Sequence, residues 1–154
     1  MQGIPAAAMP EEGNMHIRFG AGLAGVVALL GVSVSALAGD AAQVDRGRYL
    51  VTIAGCNDCH TAGFMEKNLA VPEKDWLKGS PVGFQGPWGT TYPANLRRVL
   101  AGLTEAQWLE YARLQRLPPM PSYALQLMSA DDLKAIYAYV RSLGDPGEAV
   151  PVYV

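Results

Sequence analysis

The pentapeptide Cys56-Asn57-Asp58-Cys59-His60 limits what this chain can be more than any other stretch. Two cysteines three apart share one turn of helix, and the next residue sets an imidazole beside them. Three chemistries use such a set. A thioredoxin-like redox pair wants its cysteines at the end of a strand in a βαβ pattern, but the residues before this pair, Val44 to Ala54, read as a helix. Structural zinc wants four ligands, and the other histidine, His16, lies in a segment read below as removed. Covalent haem attachment needs what is present: each thiol adds to one vinyl group of the porphyrin, and the histidine meets the iron. This reading gives Cys56 and Cys59 to the attachment of one haem c, and His60 to its iron.

The rest of the sequence supplies a compartment for that chemistry. Phe19 to Ala38 carries no charged residue, is rich in Ala, Gly, Val and Leu, follows His16 and Arg18, and ends in the small-residue pattern Ala36-Leu37-Ala38. Those are the parts of a secretory signal cut before Gly39. Glu11 and Glu12 put negative charge where an export signal wants positive, so Met15 is an alternative start and residues 1–14 an untranslated extension. The rival reading is an uncleaved anchor, since about twenty uncharged residues can span a bilayer. The chain thus divides into a leader over 1–38 and a single haem domain over 39–154, with a Pro/Gly-containing tail from 145. Both cysteines lie in the one motif, so no disulfide framework competes for them. A formal charge of −2 on 154 residues excludes a basic nucleic-acid footprint.

Periodicity predicts an all-α domain of about four short helices. Val44, Gly47, Leu50, Val51 and Ala54 form an apolar stripe over 41–54, and Gly55 ends it before the motif. Gly47 on that stripe costs about 1 kcal/mol relative to Ala, which close packing of a neighbour would repay. Between Thr61 and Gly102 the sequence is loop-like, as a segment wrapping a prosthetic group can be. Within it Pro72 to Gly79 reads as a short helix, and Trp88 and Tyr92, each an apolar body with a donor, suit the edge of a haem pocket near the propionates. Core cover is the alternative for both. Thr104 and Gln107 make a capping box for a helix running to about Leu117. A last helix begins at Ser129, has Asp131 and Asp132 in its first turn, and stops at Gly144. No stretch alternates convincingly with period two.

The second axial position decides between carrier and catalyst. Iron held by His60 alone could bind gases or peroxide; a thioether on the other face makes a six-coordinate electron carrier. Met65 is too near His60 to reach the opposite face. Met128 precedes the Ser129 cap and has a packing role against Leu133. Met120 lies in Pro118-Pro119-Met120-Pro121, whose prolines fix an extended backbone. Met120 is therefore the expected ligand, with Met128 as its alternative and gap-filling as the plain use of either.

The motif with the Gly47 helix before it, the Met120-Pro121 loop and the closing run Asp131 to Leu143 together resemble class I c-type cytochromes over most of 43–144. Gly86 to Leu96 and the Pro-Met-Pro context are similar to bacterial periplasmic monohaem cytochromes related to the haem domains of membrane dehydrogenase cytochrome subunits. Those subunits carry several attachment motifs and this chain has one. The resemblance implies that the first and last helices cross, with Gly47 admitting Tyr139 or Tyr137. The resulting expectation is an exported monohaem protein that is no enzyme. It passes single electrons between redox proteins (a dehydrogenase, an oxidase or another cytochrome) that dock transiently, with Lys67, Lys74, Lys78, Arg97 or Arg98 steering them. The rivals are a haem enzyme or gas or peroxide sensor with an open distal site, and a subunit permanently docked on a dehydrogenase.

N-terminal sequencing of the exported protein should begin at Gly39. A native protein that retains Phe19 to Ala38 and fractionates with membranes would instead be an anchored form.

Overall fold

Helix α1 spans 40–53 and stops because Gly55 takes a left-handed conformation, φ 67°, which turns the chain into the motif helix α2, Cys56–His60. The computed structural model describes residues 40–154; the leader expected over 1–38, with Met15 and the cut after Ala38, lies outside them. From α2 the chain runs through a long loop containing a 3-10 turn, Glu73–Asp75, and a two-stranded antiparallel hairpin, β1 Phe84–Gly86 and β2 Gly89–Thr91. Four helices follow: α3 Leu96–Ala101, α4 Glu105–Ala112, α5 Ser122–Leu127 and α6 Ala130–Ser142. Among the described residues no helix is long and apolar enough to cross a membrane.

The core forms where α1 and α6 meet. Leu50 and Val51 of α1 are buried with Leu133, Ala135, Ile136, Tyr139 and Val140 of α6, and Leu100, Trp108 and Ala112 of α3 and α4 close the cluster. Gly47 is the contact point. A Cβ added there would run into the Ala135 carbonyl and come within 2.6 Å of Tyr139 Cβ. It is thus Tyr139 that packs on Gly47, while Tyr137 is half-buried and donates its hydroxyl to the Leu103 carbonyl at 2.8 Å. The Tyr139 hydroxyl donates to Glu73 Oε1 at 2.7 Å, and Arg48 of α1 donates to the same oxygen at 2.9 Å. Arg48 holds the Glu73 carboxyl below the usual carboxylate range. The Trp108 indole donates to the Leu133 carbonyl at 2.7 Å and fixes α4 on α6.

Several elements differ from the sequence expectation. The domain is mostly helical, not all-α, because Phe84–Thr91, Gln85–Thr90 and Gly86–Gly89 pair across the Pro87-Trp88 turn. Strands of three residues are too short for alternation to register. There are six helices in 40–154 where about four were expected: α3, capped by the Asn95 side chain on the Arg98 N–H at 3.1 Å, falls in the stretch expected to be loop-like, and α5 is additional. The helix expected over 72–79 is only the 3-10 turn, since Leu77 and Gly79 take positive φ of 61° and 84°. The Thr104 and Gln107 capping box is present, yet α4 stops at Ala112 rather than near Leu117. There the Arg116 N–H turns to the Ser122 hydroxyl at 2.8 Å, drawing the chain beside α5. The prolines around Met120 do not extend the backbone either; residues 118–120 form a turn and α5 starts directly after Pro121.

Replacing Gly47 with Ala adds helix propensity of about 1 kcal/mol but forces apart the α1–α6 crossing, where overpacking typically costs about 1–3 kcal/mol or more. Urea denaturation of Gly47→Ala should show a net loss of stability; a more stable variant would mean that the close crossing does not exist.

Candidate functional site

The motif helix is fixed by its own inner face. Asn57 is buried and its Oδ1 accepts from the Thr61 hydroxyl at 2.7 Å, while the same hydroxyl oxygen accepts from the Leu77 N–H at 2.8 Å. The Gly79 N–H donates to the His60 carbonyl at 2.7 Å, so residues 77–79 run beside the end of α2. This arrangement turns Asn57 inward and leaves Cys56, Cys59 and His60 on the other side of the helix, all lining one cavity of about 460 Å³. That volume lies within the range of cofactor pockets.

His60 is positioned from behind. Its Nδ1 lies 2.7 Å from the Ala94 carbonyl, an acceptor that requires Nδ1 to carry the proton. The ring therefore presents Nε2 as a free lone pair. Burial lowers its affinity for a proton, an effect opposed in part by the Ala94 bond, so the ring is neutral at neutral pH. Burial also pushes the Cys56 thiol up to about 11 and raises that of Cys59, each further disfavoured by the Asp58 charge. Such thiols differ from a redox pair, which works through a lowered thiol pKa. No disulfide joins them. Among the described residues no group of three or more His, Cys, Asp or Glu side chains converges as a metal cluster.

The remaining walls are mainly apolar: Val51 and Ala54 behind the motif, Trp108, Tyr111 and Ile136 from α4 and α6, and Ala124, Leu125 and Met128 around α5. Met120 lines the cavity together with Pro119 and Pro121. Its loop is tied to the hairpin by the Thr91 hydroxyl, which donates to the Pro118 carbonyl at 2.7 Å. Met128 also lines the cavity and packs against the core, whereas Met65 is 64% exposed and does not line it. Tyr92 is part of the lining. Trp88 is not: its ring lies against Gly86 at the hairpin turn, and its Nε1 is sealed from solvent without a partner.

The five cations named as steering groups do not behave alike, and none lines the cavity. Arg97 is a correction: it is 4% exposed and spends its guanidinium on the carbonyls of Trp76, Leu143, Asp145, Glu73 and Lys74 at 2.8–3.2 Å. A buried cation survives by such saturation, so Arg97 is a structural hub and is not available for steering. Lys67, Lys74 and Arg98 are exposed, and half-buried Lys78 pairs with Asp75 at 3.3 Å.

Sequence pattern missed Asn57, Thr61, Thr91, Ala94 and Tyr111. Ala94 and Asn57 act through a backbone oxygen and a side chain turned inward, and neither leaves a periodic signal. The donor set nevertheless fits a covalently held haem. A neutral imidazole with its free nitrogen fixed, two free thiols one turn away and a thioether on a separate loop all open on one apolar cavity.

Against known proteins the chain matches no family model and no solved structure. It is 32% identical over 126 residues to the gluconate 2-dehydrogenase cytochrome c subunit of Pantoea cypripedii. The match covers 68% of this chain but 28% of that relative, so the chain spans little more than a quarter of its length. The similarity supports a relationship to c-type cytochromes.

Removing the Thr61 hydroxyl deprives the buried Leu77 N–H of its acceptor and Asn57 of its donor. Each buried polar group left unpaired costs about 1–3 kcal/mol. Chemical denaturation should find Thr61→Val destabilised by that order while Thr61→Ser stays near the parent; equal stability of all three would break the proposed tie between α2 and residues 77–79.

Proposed function

We propose that this chain is an exported, monohaem c-type cytochrome that passes single electrons between redox proteins in the periplasm. Cys56 and Cys59 would hold the porphyrin covalently, and His60 and Met120 would hold its iron. The observation that carries this reading is the meeting of those four side chains on one apolar cavity, with His60 Nδ1 bound to the Ala94 carbonyl at 2.7 Å. The bound haem would supply a one-electron iron couple.

The chain's own residues account for the rest. Ala94 fixes the His60 tautomer and ring orientation, which sharpens the imidazole as a ligand. The Met120 thioether is soft and neutral, so as a ligand it would favour the reduced metal and raise the potential relative to a second imidazole or an open face. Trp108, Ile136, Leu125 and their neighbours exclude water from the cavity. Redox partners of this carrier are a dehydrogenase, an oxidase or another cytochrome that docks transiently. A second reading, an electron-transfer subunit permanently docked on a dehydrogenase, is favoured by the relative's designation as a dehydrogenase subunit. Whether the native protein purifies alone or with a dehydrogenase separates the two.

Met120→Ala should leave the haem attached, lower the reduction potential and let the reduced protein bind carbon monoxide. Met128→Leu, which keeps side-chain volume, should do neither. The readouts are the near-infrared sulfur-to-iron band of the oxidised protein and carbon monoxide binding. An unmutated protein that lacks the band and binds carbon monoxide at neutral pH would replace the carrier reading by that of an open-site sensor or peroxidase.

A further inference from the structure

Arg116 stands apart from the other residues that line the cavity. Among the described residues no lysine, no carboxylate and no other arginine lines the cavity, so Arg116 is the one guanidinium, ammonium or carboxylate side chain there. It is half-buried. Its guanidinium carbon lies 4.1 Å from the centroid of the Tyr111 ring, itself part of the lining. Nη2 donates to the Tyr111 carbonyl at 2.6 Å. Nε and Nη1 have no acceptor among the described residues, and no carboxylate there forms an ion pair with this guanidinium. The backbone is held as well, through the N–H bond to the buried Ser122 hydroxyl.

A partly desolvated cation facing an apolar cavity is poorly stabilised unless an anion meets it. Its planar fork matches a carboxylate, and two of its nitrogens are unspent. The porphyrin that the proposed function puts in this cavity carries two carboxylates. We infer that Arg116 binds a haem propionate and, through that ion pair, raises the potential of the iron. The inference rests on the haem reading and goes beyond it: Arg116 is a positioning residue, set by Tyr111 and Ser122. The alternative is that Arg116 only caps the end of α4 through the Tyr111 carbonyl. A cap would influence stability but neither the propionate nor the iron.

Loss of the cation would leave a haem carboxylate uncompensated, which would penalise the more negative, reduced state. The exported haem-loaded protein is therefore compared with Arg116→Gln, with Arg116→Lys, and with Arg98→Gln as an equal loss of charge outside the lining. Potentials are measured by spectroelectrochemistry and propionate bending modes by resonance Raman. Arg116→Gln should shift the one-electron equilibrium about tenfold toward the oxidised form, ~59 mV, and move a propionate mode. Arg98→Gln should move neither by comparable amounts. Arg116→Lys should keep most of the potential yet still shift the mode, because an ammonium cannot reproduce the fork. It also keeps the test alive if Arg116→Gln fails to accumulate. Unchanged propionate modes in the variants obtained, or a potential shift in Arg116→Gln no larger than in Arg98→Gln, would overturn the inference. An unmutated protein without the mass of one haem would instead sink the functional reading beneath it.

Discussion

The hydrogen bond from His60 Nδ1 to the Ala94 carbonyl is the constraint on which the site depends. It joins the motif helix to a loop more than thirty residues away, and it works only if Ala94 is itself held. That is the task of the residues on either side. The Pro93 carbonyl accepts from Ser80 at 3.2 Å, and Leu96 N–H donates to the Leu77 carbonyl at 2.9 Å. Asn95 donates to the Pro146 and Glu148 carbonyls at 2.7 and 3.0 Å, and Arg97 gathers five further carbonyls. A single ring orientation is thereby fixed by three separate stretches of chain, 73–80, 93–97 and 143–148.

This arrangement explains why the 61–95 segment can be so poor in regular structure without being loose. Each stretch of irregular backbone in a folded domain needs partners for its N–H and C=O groups. Here they come from side chains: Thr61, Asn95 and Arg97 take positions that a sheet or helix ladder would otherwise fill. The tail is recruited in the same way. Val154 and Thr90 exchange N–H to carbonyl bonds at 2.8 and 3.1 Å, and the Tyr153 hydroxyl donates to the Trp88 carbonyl at 2.8 Å, so the tail lies along the hairpin.

What the sequence made legible follows from how each signal arises. The motif, the α6 stripe, the Thr104 capping box and Gly47 all depend on near neighbours or a helical period, and pattern reading finds those. The grouping of Cys56, Cys59 and His60 was likewise readable from spacing alone, as residues that share one turn come to line one cavity. Arg97 misled because a charge in a Gly/Pro-rich stretch resembles a solvated surface group, and the carbonyls that bury it come from distant segments. The hairpin and α5 escaped because three-residue strands and a six-residue helix after proline are stabilised by contacts such as Thr91 to Pro118, which no local window contains. Arg116 was passed over for the same reason: its meaning lies in the Tyr111 ring and an apolar cavity.

The two faces of the cavity are therefore built with unequal firmness. Behind His60 the supporting groups are buried: Asn57, Thr61, Leu77, Asn95 and Arg97 are each at most 4% exposed. Around Met120 the support is thinner and wetter. Pro118, Pro119 and Pro121 are exposed, Leu117 is 49% exposed and Tyr123 66%, and few bonds, chiefly Thr91 to Pro118 and Arg116 to Ser122, hold the turn. Local opening follows the weakest buried contacts and the most exposed hydrogen bonds. Any opening of the pocket should thus begin at the methionine loop and leave the histidine side in place. In the proposed carrier, the distinction from an open-site haem protein would therefore come down to the stability of residues 117–122.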